Sequence, residues 1–192
     1  MKKHYYLIVL LLTCKICEGQ NLIPNGDFEQ YSGCPDNVAQ LDSASFWFNP
    51  TYATPDYFNS CSNPSIVGVP NNTGVGYQNA YGGSAYSGIH LWHMNVPNYR
   101  EYIEVPLLST LTFNVCYELK MYISLSEFSS YNSSALGVYF SKTSFTNFST
   151  SYNLPFIPQI NNSSLNLPDF INWTLVTGSY TAQGGESFLI LG

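Results

Sequence analysis

Val115-Cys116-Tyr117-Glu118-Leu119-Lys120-Met121-Tyr122-Ile123-Ser124-Leu125 is the stretch that decides the fold class. Val115, Tyr117, Leu119, Met121, Ile123 and Leu125 fall on one face, while Cys116, Glu118, Lys120, Tyr122 and Ser124 fall on the other. That period of two is what a half-buried antiparallel strand requires, because successive side chains leave the backbone on opposite sides. Residues 135–141 repeat it, with Leu136, Val138 and Phe140 facing one way. Residues 84–94, 99–106, 173–180 and 187–191 are further strand candidates, joined by turn-forming runs such as Pro70-Asn71-Asn72 and Gly82-Gly83. No segment carries a capped 3.6-residue period, and residues 126–133 offer one short helical turn at most. Many strands separated by turn signals, without helices, make a sandwich or a barrel. The expectation is an all-β, jelly-roll-like antiparallel β-sandwich.

Outward from these strands, residues 50–83 are long and poorly periodic, which is unusual for a connection unless it is functional or pinned. A Cys34–Cys61 bridge together with packing by Trp47, Tyr52, Tyr57 and Phe58 would pin it. At the far end, Phe188-Leu189-Ile190-Leu191-Gly192 reads as a strand that stops without a turn or a polar tail. This points to a fragment whose final sandwich strand lies beyond Gly192.

The beginning of the chain sets the compartment. Lys2 and Lys3 precede the apolar run Leu7 to Leu12, and small or polar residues follow from Cys14 to Gln20. This is the pattern of a secretory signal peptide over residues 1–20, with an apolar core too short to span a bilayer. Leu11-Leu12-Thr13-Cys14 loosely resembles a lipobox, the competing reading, although threonine is a poor residue before a lipidated cysteine. The remaining residues 21–192 fit one domain. No other stretch is apolar enough to form a transmembrane helix.

Loss of residues 1–20 takes Lys2, Lys3, Lys15 and Glu18 away and leaves Arg100, Lys120 and Lys142 against eleven acids, a net charge of −8. So few cations exclude a nucleic-acid partner, which needs a basic footprint, and disfavour an anionic membrane surface. Charged residues make up 9% and aromatics 16%, the opposite of the balance that keeps a chain disordered. Cys34, Cys61 and Cys116 survive the cut. Cys34 and Cys61 sit in loop-like sequence and form the candidate disulfide, while Cys116 within its strand reads as a buried free thiol.

Two ends of the chain carry a resemblance. Asn21-Leu22-Ile23-Pro24-Asn25-Gly26-Asp27-Phe28-Glu29 resembles the opening of many galactose-binding-like jelly rolls, several carbohydrate-binding module families among them. Trp173-Thr174-Leu175-Val176-Thr177-Gly178-Ser179-Tyr180-Thr181 and Gly184-Gly185-Glu186-Ser187-Phe188-Leu189-Ile190-Leu191-Gly192 resemble late strands of the same fold. Cys34-Pro35, Thr54-Pro55-Asp56-Tyr57-Phe58-Asn59, Cys61, Gly68-Val69-Pro70-Asn71-Asn72 and Tyr99-Arg100-Glu101-Tyr102-Ile103 are together similar to N-terminal modules of Bacteroidota surface proteins. Such modules often precede an OmpA-like peptidoglycan-binding domain or a type IX secretion sorting tail. The resemblance implies a secreted or outer-membrane, cell-surface location. It also implies a structural calcium at one edge of the sandwich, with Asp27 and Glu29 matching the first-strand ligands, whereas the last-strand carboxylate would lie beyond Gly192.

Catalytic patterns are hard to find. His90 and His93 are three apart on a candidate strand and so face opposite ways, and Glu101 and Glu104 share that geometry. Gly-x-Ser-x-Gly, His-Glu-x-x-His and phosphate-cradling glycine loops are absent. Aromatic residues are the better resource, because sugar rings present apolar C–H faces that stack on Trp and Tyr. Parity puts Trp92 and Tyr86 on one face of strand 84–94, and Tyr122 lies opposite the apolar stripe of its strand. Arg100 stands beside Tyr99 and Tyr102. The expected ligand residues are therefore Trp92, Arg100 and Tyr122; the bland alternative leaves the tryptophans in the core and Arg100 paired with Glu101 or Glu118. The expected function is a non-catalytic module that binds a glycan or other cell-envelope component. Its rival is a structural or adhesive module with no small ligand.

Overall fold

The computed structural model describes residues 19–129, 136–145, 152–161 and 170–192. Its strands are β1 (Asp56–Asn59), β2 (Asn71–Asn72), β3 (Gly76–Tyr77), β4 (Ala85–Gly88), β5 (Ile103–Pro106), β6 (Cys116–Ile123), β7 (Gly137–Ser141), β8 (Ile160–Asn161), β9 (Thr174–Thr181) and β10 (Phe188–Leu191). Among the described residues one 3-10 turn spans Leu41–Ser43. Every strand pairing is antiparallel. The largest sheet has the order β5-β10-β7-β8, and β6-β9, β1-β4 and β2-β3 form two-stranded sheets. The protein is an all-β sandwich of antiparallel sheets, as the alternating pattern predicts. The proposed signal peptide, residues 1–20, lies outside the described residues except for its last two positions.

Residues opposite one another in a ladder share a face, so the register fixes what each side of the large sheet carries. Val105, Leu189 and Phe140 stand opposite one another, as do Ile103, Leu191 and Val138, and all six point into the main core. The β6–β9 pair closes that core from the other side. Tyr180 of β9 stacks on Phe140 at 4.9 Å and 7°, and Tyr117, Leu119 and Met121 of β6 pack half-buried against the same cluster. Burying each large apolar side chain stabilises the fold by about 1.5–3 kcal/mol relative to leaving it wet. Glu118, Lys120 and Tyr122 on the opposite face of β6 are exposed. The period of two read from residues 115–125 is thus realised, with the eight ladder positions from Cys116 to Ile123 paired to β9.

A smaller cluster forms around Phe58, Val67 and Tyr86. Phe58 stacks on Tyr86 at 5.0 Å, and Trp173 meets the Tyr86 ring edge-on at 5.6 Å. Burial pushes the Tyr86 hydroxyl up to about 12, and Asn72 Nδ2 donates to it. The long 50–83 stretch is pinned as expected by the Cys34–Cys61 disulfide, and by Trp47, Tyr57 and Phe58, all of which are buried. Tyr52 does not help: it is 75% exposed.

Three further expectations are corrected. The strand expected over 84–94 ends at Gly88, because its partner β1 begins at Asp56, directly after Pro55, a residue with no N–H to offer a ladder. Trp92 therefore does not share a strand face with the buried Tyr86. The strand expected over 99–106 starts at Ile103, with Tyr99 making only an isolated bridge to Tyr152. Cys116 is exposed rather than buried, since it belongs to the solvent face of β6 that its parity assigns. Of the helical turn expected within 126–133, residues 130–133 lie outside the described residues.

Candidate functional site

The outer face of the large sheet is set by the same register. Ile190 lies opposite both Glu104 and Tyr139, so these three point away from the main core, and Tyr102 joins them two residues before Glu104. Residues 144–145 and 152–158 pass over this face. Phe156 stacks on Tyr139 at 4.9 Å and 15°, and Phe145 packs on Phe156 at 4.5 Å and on Tyr139 at 6.0 Å. The Leu154 amide donates to the Tyr102 hydroxyl at 3.0 Å. Gly137 permits this close layering: a Cβ there would sit 2.9 Å from the Pro158 ring.

Between the sheet and its cover lies a cavity of about 260 Å³, whose walls include Arg100, Tyr102, Tyr139, Asn153, Phe156 and Asn161. Gly192 forms part of its edge. The rings bring apolar faces, the two asparagines bring amide donors and acceptors, and Arg100 brings the one charged side chain of the lining. Burial pulls the guanidinium below its ordinary value, with the Tyr102 hydroxyl acting in the other direction. A second hollow of about 340 Å³ is bordered by Ala39, Leu41, Asp42, Phe48, Asn49 and Pro55. It presents one aromatic ring and an acid, so it offers less to stack on.

Two buried carboxylates frame the cavity without entering its lining. Glu101, 1% exposed, accepts from the Thr54 amide and hydroxyl and from Tyr99 through Oε1, and from the His90 amide through Oε2. It thereby ties the 50–55 and 89–99 segments to the chain immediately beside Arg100. Glu104 is fully buried under the cover, where the Phe145 amide donates to both of its oxygens at 3.1 and 3.2 Å. Desolvation raises the Glu104 carboxyl to about 7, against the opposing pull of the Phe145 amide and the neighbouring Ser144 hydroxyl. Each acid is spent on holding loops, and they lie on different neighbours rather than facing one another across a cleft.

The three expected ligand residues are not brought together. Arg100 lines the cavity; Trp92 and Tyr122 do not. Trp92, 52% exposed, lies in the segment after β4. Tyr122 sits at the end of β6, where its ring stacks on that of Tyr81 at 3.6 Å and 16°. His93 packs edge-on against Tyr99 at 5.7 Å, and the His90 main chain exchanges hydrogen bonds with Glu101.

Of Asp27 and Glu29, the two residues matched to a calcium site, Glu29 has a structural task. Glu29 Oε1 already accepts from the Ser84 and Ala85 amides at 2.7 and 2.9 Å, which makes it a clamp on the start of β4. Calcium takes six to eight oxygens, and among the described residues no three His, Cys, Asp or Glu side chains are grouped to share an ion. The Asn-Gly segment that carries the resemblance instead works through Asn25, buried at φ 48°, whose amide donates to Gln30 O and Ser45 O while its carbonyl receives the Trp47 indole N–H.

Several residues of the cavity escaped the sequence reading. Tyr139 was within reach, because parity puts it opposite the stripe of Leu136, Val138 and Phe140. Asn153 and Phe156 lie in aperiodic sequence that carries no such signal. Comparison with family models, with curated proteins and with solved structures finds no match to this chain.

Proposed function

We propose that this protein is a non-catalytic binding module for glycans, exported to the cell surface, with the cavity around Arg100 as its site. The observation that carries the reading is the composition of that cavity: three aromatic rings, two asparagine amides and one guanidinium around about 260 Å³. Sugars need this mixture of apolar faces and convergent polar groups. The volume lies just below the usual range of about 300–1,000 Å³ for small-molecule sites, which suits one sugar unit held at a time. The engagement of Glu101 and Glu104 in loop-holding hydrogen bonds supports binding without catalysis. The Cys34–Cys61 bridge is in keeping with an oxidising compartment.

A glycan-array screen followed by calorimetry tests this. Saturable binding by the natural polypeptide, lost in Tyr139→Ala and Arg100→Ala variants that keep cooperative unfolding, is the expected result. A folded protein that binds no saccharide would overturn the proposal.

A structural or adhesive role without a small ligand is the second reading. It draws on the exposed Tyr81–Tyr122 stack, with Leu175 opposite Tyr122 in the ladder and also exposed. Self-association weakened by Tyr81→Ser and Tyr122→Ser, in a protein deaf to sugars, would favour it.

A further inference from the structure

We infer that the outer edge of β6 is a self-association site, where a second copy of this chain adds its own β6 antiparallel about a two-fold axis at Leu119. The inference does not rest on the glycan reading, since the cavity lies on the large sheet and β6 belongs to the other layer. Among the described residues β6 pairs with β9 alone, along its whole length. The Ala182 amide donates to the Val115 carbonyl, so by alternation the odd-numbered positions of β6 turn their main-chain groups toward β9. The N–H and C=O groups of Cys116, Glu118, Lys120 and Tyr122 therefore point outward, and among the described residues they meet no partner. The edge of β5, by contrast, is closed by Phe48, which exchanges both main-chain hydrogen bonds with Glu104. Open edges attract other strands, and proteins blunt them with proline, bulges or unmatched lysines. β6 contains no proline or glycine, and its one lysine has a glutamate two positions away.

Charge selects both the occupant and the register. Outward-pointing groups can bond only to outward-pointing groups, so an antiparallel copy must set even positions opposite even positions. Centring the two-fold on Glu118 or on Lys120 would oppose that residue to itself, and like charges directly opposite repel. Centres on Tyr117 or Met121 shorten the ladder and set neither charge opposite the other. Centring on Leu119 sets Glu118 opposite Lys120 of the second copy, and Lys120 opposite its Glu118. These two side chains already pair along their own strand at 3.1 Å and are 64% and 60% exposed, so the four charges alternate in sign around a square. On the opposite face Leu119 meets Leu119 of the second copy and Tyr117 meets its Met121, which continues the half-buried apolar layer of β6. Cys116 comes opposite Tyr122, whose ring stacks on Tyr81. The contact is isologous, so it closes at two copies and consumes both open edges.

Sedimentation of the natural polypeptide from about 1 to about 500 µM should show a monomer–dimer equilibrium of the transient class that weakens as salt rises. Glu118→Lys alone and Lys120→Glu alone should each weaken the dimer about tenfold, since both cross-strand charge pairs turn from attraction to repulsion. The double variant Glu118→Lys with Lys120→Glu should restore it, and an equimolar mixture of the two single variants should form the mixed dimer. Both sites are exposed, so the reversals probe the contact rather than the fold. Tyr122→Cys adds a readout of register. Opposed Cα atoms of a hydrogen-bonded pair lie about 5.5 Å apart, within the disulfide span of about 4.4–6.8 Å, whereas positions 116 and 122 of one chain are about 20 Å apart along the strand. Mild oxidation should therefore link the introduced thiol to Cys116 of another copy, as peptide mapping would show, and Glu118→Cys should not form the equivalent link. A protein that stays monomeric throughout, a dimer indifferent to the single reversals, or a double variant that fails to restore it would overturn the inference. So would a monomer that accepts an unrelated extended peptide along β6, which would name a different occupant. None of these outcomes bears on sugar binding, which calorimetry reads separately.

Discussion

Replacing Glu104 with glutamine removes a charge from a place that water does not reach. The carboxylate is fully buried beneath residues 144–145, and its ordinary value of 4.5 is raised to about 7 by desolvation. The folded state therefore holds the proton more tightly than the unfolded chain does. A carboxyl of this kind contributes stability that is intact below 4.5 and is lost as the pH climbs through 7. At about 1.36 kcal/mol for each pH unit of displacement, the loss amounts to at most about 3 kcal/mol by pH 8.5.

Glutamine keeps an acceptor for the Phe145 amide and never ionises. Urea unfolding of both proteins at about pH 5 and about pH 8.5 reads the difference. At the lower pH the two should lie within about 1 kcal/mol, the worth of one neutral hydrogen bond. At the higher pH the Glu104→Gln variant should be the more stable by about 2–3 kcal/mol. Subtracting one protein from the other cancels every other titrating group. A difference that stays the same at both pH values would refute the account of Glu104 as a desolvated acid.

Other consequences are as specific. Cys34→Ser with Cys61→Ser should lower stability by about 3.5 kcal/mol in the chain-entropy model for a loop of this length, measured by urea midpoint with and without reductant. Cys116 in protein lacking residues 1–20 should react with a disulfide reagent under native conditions, at one thiol per chain, because it is exposed; a thiol that reacts only on unfolding would contradict its position on β6. Trp47→Phe should cost about 0.5–1.5 kcal/mol by urea midpoint for the lost indole N–H bond to the Asn25 main-chain carbonyl, which keeps the Phe28 amide as its other donor. Removal of calcium by a chelator should leave the melting temperature unchanged, as expected of a Glu29 whose Oε1 is held by two amides.

The strands that build the main core were legible because their side chains alternate and because the register keeps paired residues on one face. β6, β7 and β9 follow from that rule, while β10 is a continuous apolar run, Phe188–Leu191, covered on both faces. Strand 84–94 was drawn too long for a physical reason: periodicity within one segment does not reveal where its partner stops, and here Pro55 stops it. Cys116 was misplaced because the apolar character of a thiol was weighed above the parity of its own strand, and parity prevailed. The site was half legible. Arg100 stands out as one of few cations among tyrosines, but its companions Phe156 and Asn153 come from aperiodic sequence. Trp92 was grouped with it only through the strand that ends at Gly88.

The Cys34–Cys61 bridge also governs how this protein would behave as a mechanical element. The bridged cysteines lie 27 positions apart in sequence, yet their Cα atoms are held 5.9 Å from one another. At about 3.3–3.6 Å per extended residue, the bridge withholds roughly 90 Å of contour from any force that stretches the polypeptide. Trp47, Tyr57 and Phe58, all inside or beside that closed loop, are thereby relieved of direct load. In the oxidised form tension crosses the sulfurs instead, and the two ends of the domain stay that much nearer one another.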